Sequence, residues 1–369
     1  MLVKEGIHLP TAAELQWAPL INVKRLTRAP EGVDAEDTRR LWLESRRNGI
    51  GASDIPAIMG TANPKWGSPY ALWNEKMGFL PIDTEELEHQ TFGHLMEDTA
   101  TRAFQMRSNA GQMMDPHGAG IRHLTHPWNV ASIDRILCLQ PNEGLSFEEV
   151  VSIYPWWIPV EIKNVSEYKS DKWGSVEIPE MYYDQVQDQL EVTGRPCSLL
   201  LAVLGGNRMK VYTVFRDVIR AGEIMREAEA FWESIQNGDC PEPDDTEATE
   251  EALKLLFNKT DGSAIPMTGE MLKWCQELES AKETIESMEA KVMLNKNLIR
   301  REMGEAKMAK HPLFSISYGT QTRQAVDKEK AEKDDELQIT KERVKALESK
   351  YKQPVTIRVL KVTASGKKD

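Results

Sequence analysis

Two runs, Ser198–Leu204 and Arg208–Phe215, flank Gly205-Gly206-Asn207 and form the strongest hairpin signal in the chain. A tight antiparallel pair here restricts what can surround it. Upstream, residues 180–193 carry helical patterning that ends at Gly194, with Pro196 two residues on. Downstream, residues 219–235 are again helical. Further upstream, residues 129–133 are extended and half-apolar, residues 136–139 continue beyond Asp134 and Arg135, and residues 158–162 are rich in β-branched side chains. Helical patterning also covers residues 69–78 and 92–106. The order helix, strands, helix, strands, helix predicts a mixed α/β domain ending near residue 240.

Around that domain the chain divides further. Residues 1–35 show little periodicity and read as an extended arm, and residues 36–240 form the core. Within the core, a helix starting near Asp37 carries Leu41, Trp42 and Leu43 towards Arg46 and Arg47. In residues 50–60, Gly51 permits a turn and Ser53 is a good N-cap for a short helix. The stretch 238–251 is acidic and contains two prolines, which predicts a linker over 241–266. Residues 267–369 read as a helical appendage with added strands. Leu278, Ala281, Ile285, Met288, Val292 and Ile299 form a heptad seam, the mark of a coiled-coil face, with Asn295 in its one polar position. The seam fits a second helix of the same chain and another subunit equally well. A strand at 313–318, a charged helix over 327–351 and a strand at 355–362 complete the appendage.

Composition excludes several classes. No apolar run is long enough to cross a bilayer, and residues 1–17 lack the apolar core of a signal peptide, so a cytoplasmic protein without a membrane partner is expected. Cys138, Cys197, Cys240 and Cys275 lie far apart, against a zinc ribbon, an iron–sulfur site or a disulfide framework. The net charge of −12 does not mark a nucleic-acid binder, yet an enzyme gripping DNA in a channel needs only local basic patches.

Val160-Glu161-Ile162-Lys163 carries the sharpest chemical signal. Side chains alternate on a strand, so Glu161 and Lys163 share one face while Val160 and Ile162 enter the core. Asp134, at the end of an earlier strand, brings a second carboxylate. Two hard oxygen donors suit Mg²⁺ or Mn²⁺. Taken alone, Glu-x-Lys is far more often an ion pair at a sheet rim. His123 and His126 lack a third ligand and read as loop histidines, and Trp156 and Trp157 read first as packing.

The surroundings change that balance. Trp42 and Arg46 precede Gly51-Ala52-Ser53-Asp54. Then come Phe92-Gly93-His94-Leu95-Met96-Glu97, Ser132-Ile133-Asp134 and Glu161-Ile162-Lys163. Last are Ile178-Pro179, Tyr182-Tyr183-Asp184-Gln185-Val186-Gln187 and Val192-Thr193-Gly194. In type and order these motifs resemble the lambda-type exonucleases, or YqaJ-like viral recombinases, of the PD-(D/E)XK nuclease superfamily. Ile133-Asp134-Arg135 departs from that family's Pro-Asp-Gly and leaves the turn after Asp134 less defined.

The resemblance implies a restriction-endonuclease-like core, a mixed central sheet flanked by helices, and a nuclease acting on double-stranded DNA ends. It implies two Mg²⁺ ions, with Mn²⁺ able to substitute. Asp134, Glu161 and the Ile162 carbonyl would be ligands, and Glu97 would hold the second ion or its waters. Lys163 would orient or deprotonate the attacking water, burial beside the metals lowering its pKa. Gln185 would help fix the nucleophile. Arg46 and Ser53 would hold a terminal 5′-phosphate, giving 5′→3′ polarity, with Ser132 and Tyr182 also facing DNA. A trimeric ring, a single-strand annealing protein as partner and a bacterial host's cytoplasm belong to the same picture. The rivals are a RecB-like end-processing nuclease or endonuclease, and a non-catalytic DNA-binding scaffold.

Overall fold

The computed structural model describes residues 44, 46–81, 88–108, 110–116, 120–140, 144–153, 157–318 and 340–343. They belong to two units, one ending at Leu256 and one beginning at Phe257.

The first unit is built on β6 (Trp157–Val165) and β7 (Cys197–Leu204), which pair in parallel. Every residue of β7 is buried, as expected of a strand covered on both faces. β8 (Arg208–Phe215) returns antiparallel to β7 through the three residues Gly205-Gly206-Asn207, and the φ values of 58° and 74° at the glycines lie in the left-handed region that favours glycine. On the other side of β6 lie β5 (Arg135–Cys138) and β2 (Gln112–Met114), giving the order β2-β5-β6-β7-β8. A smaller sheet holds β1 (Ile50–Gly51), β4 (Asn129–Ser132) and β3 (Gly120–Arg122), in the order β1-β4-β3.

β4 and β5 therefore lie in different sheets, and the chain passes between them at Ile133 and Asp134. This switch stations Asp134 beside β6. Alternation does the rest. Ile158, Val160 and Ile162 pack against Ala100 and Phe104 of α3 (Glu88–Arg107), so Glu161 points to the opposite face. That face is covered by α5 (Glu180–Thr193), whose Val186 and Leu190 pack on Leu200 and Ala202. α6 (Val218–Asn237) starts at Asp217, which accepts hydrogen bonds from the Ile219 and Arg220 amides. Its Ile224, Ala228, Phe231 and Ile235 pack on Ile50, Ile55, Leu72 and Trp73. Ile55 belongs to α1 (Ile55–Ile58), and Leu72 and Trp73 to α2 (Pro69–Lys76).

The mixed α/β core and the helix beyond it agree with the sequence. The segment 241–266, expected as a linker, does not remain one. Residues 247–256 form α7, with Ala248 and Ala252 buried, Ala248 N donating to Pro64 O at 2.9 Å and Thr249 Oγ1 to Ser68 Oγ at 2.8 Å. Two alanines four apart make a small apolar stripe that the acidic composition conceals. α4 (Phe147–Ile153) was likewise not anticipated.

In the second unit, α8 (Gly269–Met303) is capped by Thr268 Oγ1, which accepts from Met271 N at 3.1 Å. Of its seam, Leu278, Ile285, Met288, Val292 and Ile299 are all exposed. A hairpin follows, β9 (Met308–Lys310) with β10 (Ser315–Ser317), shorter than the strand expected over 313–318. Residues 340–343 are helical. The rest of the expected 327–351 helix, the 355–362 strand, the 1–35 arm and the 36–43 stretch lie outside the described residues. Among the described residues no helix is long and apolar enough to cross a membrane.

Asp188 of α5 is fully buried and accepts one hydrogen bond, from Asn129 Nδ2 at 2.8 Å. Its Oδ2 and Asn129 Oδ1 have no hydrogen-bond partner among the described residues. Burial raises this carboxyl to about 7. A raised folded-state pKa favours the fold at low pH, and that stability is lost as pH climbs from about 4 through about 7. Asp188→Asn, whose amide can donate to Asn129, is expected to gain stability over the native chain across that window in urea melts. A pH-independent difference would refute the assignment.

Candidate active site

The sheet switch, β6 and α5 converge on a cleft of about 210 Å³. Asp134, Glu161, Lys163 and Gln185 line it from within. Arg46, Ser53, Arg122 and Ser132 form the rest of its charged and hydroxyl-bearing wall. The residues the sequence singled out on β6, at Asp134 and at Arg46 thus meet in one place.

Glu161 is buried and fully engaged. Its Oε1 accepts from Gln185 Nε2 at 2.7 Å and lies 2.5 Å from Lys163 Nζ. Its Oε2 accepts from Gln189 Nε2 at 2.6 Å. Gln185 and Gln189 stand one turn apart on α5, so a single helix face clamps the carboxylate. Gln189 also donates to Ser132 O at 3.2 Å, tying the clamp to the end of β4. Asp134 Oδ2 accepts from Ile162 N at 2.7 Å, so the main chain of β6 aims this carboxylate. Burial and then Glu161 push the Asp134 carboxyl well above its ordinary range. Tyr182 does not line the cleft. Its ring centroid lies 5.2 Å from Lys163 Nζ and 5.3 Å from that of Trp173.

The depressed pKa expected of Lys163 belongs to a metal-loaded site. Burial works in that direction, but Glu161 and Asp134 outweigh it and hold the ammonium above the ordinary lysine value. Depression would require a dication to neutralise those carboxylates.

Asp134 and Glu161 supply the hard oxygen donors that suit a divalent cation, and their crowding is the kind of buried negative charge such an ion relieves. Among the described residues no three His, Cys, Asp or Glu side chains form a metal-binding group. Glu97, expected as a further ligand, does not line the cleft; its Oε2 accepts from Arg135 Nη1 at 3.3 Å and its Oε1 lies 3.1 Å from His94 Nδ1.

The Arg46 side of the cleft is differently made from what the sequence implies. The N-cap of α1 is Asp54, not Ser53, and α1 has four residues. Asp54 instead organises two cations. Its Oδ1 accepts from Arg46 Nη2 at 2.9 Å, and its Oδ2 from Lys76 Nζ at 2.6 Å and from Gly51 N at 2.8 Å. Arg46 also donates to Ser53 Oγ at 3.0 Å, and Lys76 to Arg46 O at 2.9 Å. In the sequence Asp54 stands within a motif without a role of its own, and nothing local marks Lys76, at the end of α2, as its partner.

Residues 41–196 match the family model of the YqaJ-like viral recombinase domain. Over 277 residues the chain is 30% identical to the uncharacterized protein YqaJ of Bacillus subtilis (strain 168), covering 74% of this chain and 81% of that protein. The chain belongs to the YqaJ family. Among solved structures it is similar to the alkaline exonuclease LHK-Exo of Laribacter hongkongensis, with TM-score 0.40 and 19% identity, covering 54% of this chain and 94% of that one. The complex of LHK-Exo with dAMP gives TM-score 0.40 and 18% identity over the same shares. All the cleft residues named above fall inside the stretch matching the YqaJ family model.

Burial alone would raise the Asp54 carboxyl; Lys76 and then Arg46 outweigh it and hold it at about 2. A depressed pKa stabilises the fold above about pH 4, and this stability is lost as pH falls through about 2. Asp54→Asn should cost about 3–5 kcal/mol at neutral pH by leaving two cations without their carboxylate. In urea melts its deficit against the native chain should narrow between about pH 4 and pH 2, where the native chain loses the same charge. A constant deficit would contradict this account.

Proposed function

We propose that the chain is a metal-dependent DNA exonuclease that resects linear duplex from the 5′ end, leaving 3′ single strands for recombination by strand annealing. The observation that carries this reading is the meeting of Asp134, Glu161 and Lys163 in one cleft with Arg46 and Ser53 on its wall. Family membership supports it.

Asp134 and Glu161, with the Ile162 carbonyl, would hold Mg²⁺, or Mn²⁺ in its place. When bound, the ion supplies charge for the phosphodiester and acidifies a water. The side chains do the remainder. Gln185 and Gln189 hold Glu161 through neutral amides, which fix its direction without cancelling its charge. Lys163 lies 2.5 Å from Glu161 Oε1, where its amine would orient the attacking water, or deprotonate it once an ion offsets the two carboxylates. Arg46 and Ser53 would receive the terminal 5′-phosphate. Arg46 is already held in place by Asp54, and a phosphate takes such a guanidinium in charge-assisted hydrogen bonds. Ring-shaped trimers threading DNA and an annealing protein docking on the second unit belong to the same proposal.

Lys163→Ala should lower Mg²⁺-dependent digestion of linear duplex by about 10²–10⁴-fold beyond any loss of folded protein, which its melting curve reads. Digestion at the native rate would remove Lys163 from the mechanism, and cutting of closed circles by the native chain would make it an endonuclease. On linear duplexes with 5′-phosphate or 5′-hydroxyl ends, the native chain should prefer the phosphate, and Arg46→Ala should abolish that preference. Equal rates on both ends by the native chain would refute the end pocket.

A further inference from the structure

Arg135 directly follows Asp134 and is buried, with a side chain 8% exposed. Its Nη1 donates to Glu97 Oε2 at 3.3 Å and to Asp134 O at 2.5 Å. Its Nη2 donates to Asp98 Oδ1 at 2.6 Å and lies 3.6 Å from Asp115 Oδ2. A guanidinium does not lose its proton in a protein, so once buried it must keep carboxylates beside it. Removing one such partner leaves a charge uncompensated.

Two acidic side chains beside Asp134 are therefore treated in opposite ways. Glu161 is held by two neutral amides and by Lys163, whose ammonium itself reaches into the cleft. Glu97 shares a fixed guanidinium with Asp98 and stays outside the cleft. Each carboxylate thus has a cation beside it, and position separates them. Glu161 lines the cleft, whereas Glu97 is turned to Arg135 and makes no third carboxylate with Asp134 and Glu161 among the described residues. Ligating an ion there would require Glu97 to leave that partner.

We propose that Arg135 withholds Glu97 from metal binding, so that the cleft takes a single divalent cation, on Asp134 and Glu161. The inference rests on the metal-dependent reading above. Arg135 is a positioning residue, and its role is to set ion stoichiometry.

The test is Mn²⁺ binding to the full chain without DNA, with free ion read by electron paramagnetic resonance and bound ion by equilibrium dialysis. One Mn²⁺ per chain is expected. Glu161→Gln should weaken it by about tenfold or more, while Glu97→Gln leaves it unchanged. Arg135→Gly should admit a second ion, lost again on adding Glu97→Gln; Arg135→Met, which keeps the apolar stem, serves if the glycine variant does not fold. Two ions on the native chain, or a tenfold loss in Glu97→Gln, would overturn the inference. Hydrolysis of linear duplex in Mg²⁺ by the same preparations would then show whether the nuclease reading survives. Absence of Mn²⁺ binding at millimolar concentration overturns the inference, and the hydrolysis assay again decides the fate of the broader reading.

Discussion

Glu161 stands at the middle of a central strand, 1% exposed, with hydrogen bonds to both its oxygens and an ammonium at 2.5 Å. A carboxylate in that position is costly unless its lone pairs are used, and the fold is arranged to use them. α5 must lie across β6 in one register for Gln185 and Gln189 to reach it. That register is fixed by Val186 and Leu190 on the sheet and by Asn129 on Asp188. The parallel β6–β7 connection provides the length of chain for such a helix. The same clamp reaches Ser132 O, so β4, and with it the sheet switch that carries Asp134, is tied to the same point.

What the sequence revealed follows from where its signals are local. Alternation in Val160-Glu161-Ile162-Lys163 gave the correct face for each side chain, and Gly194 and the Gly205-Gly206 turn marked boundaries through their left-handed backbone. Gln185 stood out within its motif, but Gln189, one turn further along, became a partner of Glu161 only once the helix was placed. Pairings between distant elements were not legible. Lys76 reaches Asp54 across 22 positions, and β4 and β5 read as neighbours yet belong to different sheets. α7 was hidden by acidic composition, since propensity is a weak prior against tertiary contact.

Arg135 shows how a departure from a family pattern can carry more information than the match. On the sequence, arginine in place of glycine after Asp134 only blurred a turn. In the structure it is a buried cation, and it takes Glu97, the carboxylate the resemblance assigned to metal binding. A glycine there could satisfy no carboxylate, so the change is one of charge distribution and not only of backbone freedom.

Charge also resolves the conflict between a net −12 and a DNA substrate. The cleft is lined by Arg46, Arg122 and Lys163 against Asp134 and Glu161. Asp54, which anchors Arg46, spends its charge on Arg46 and Lys76. Before any ion enters, Lys163 meets the charge of Glu161 and burial pushes the Asp134 carboxyl towards its neutral form, so the floor offers little positive charge to a phosphate. One dication on that pair would make the floor positive, in line with Arg46 and Arg122 on the wall. Phosphate affinity and ion affinity would then be coupled through the same two carboxylates, and each would strengthen the other by equal factors.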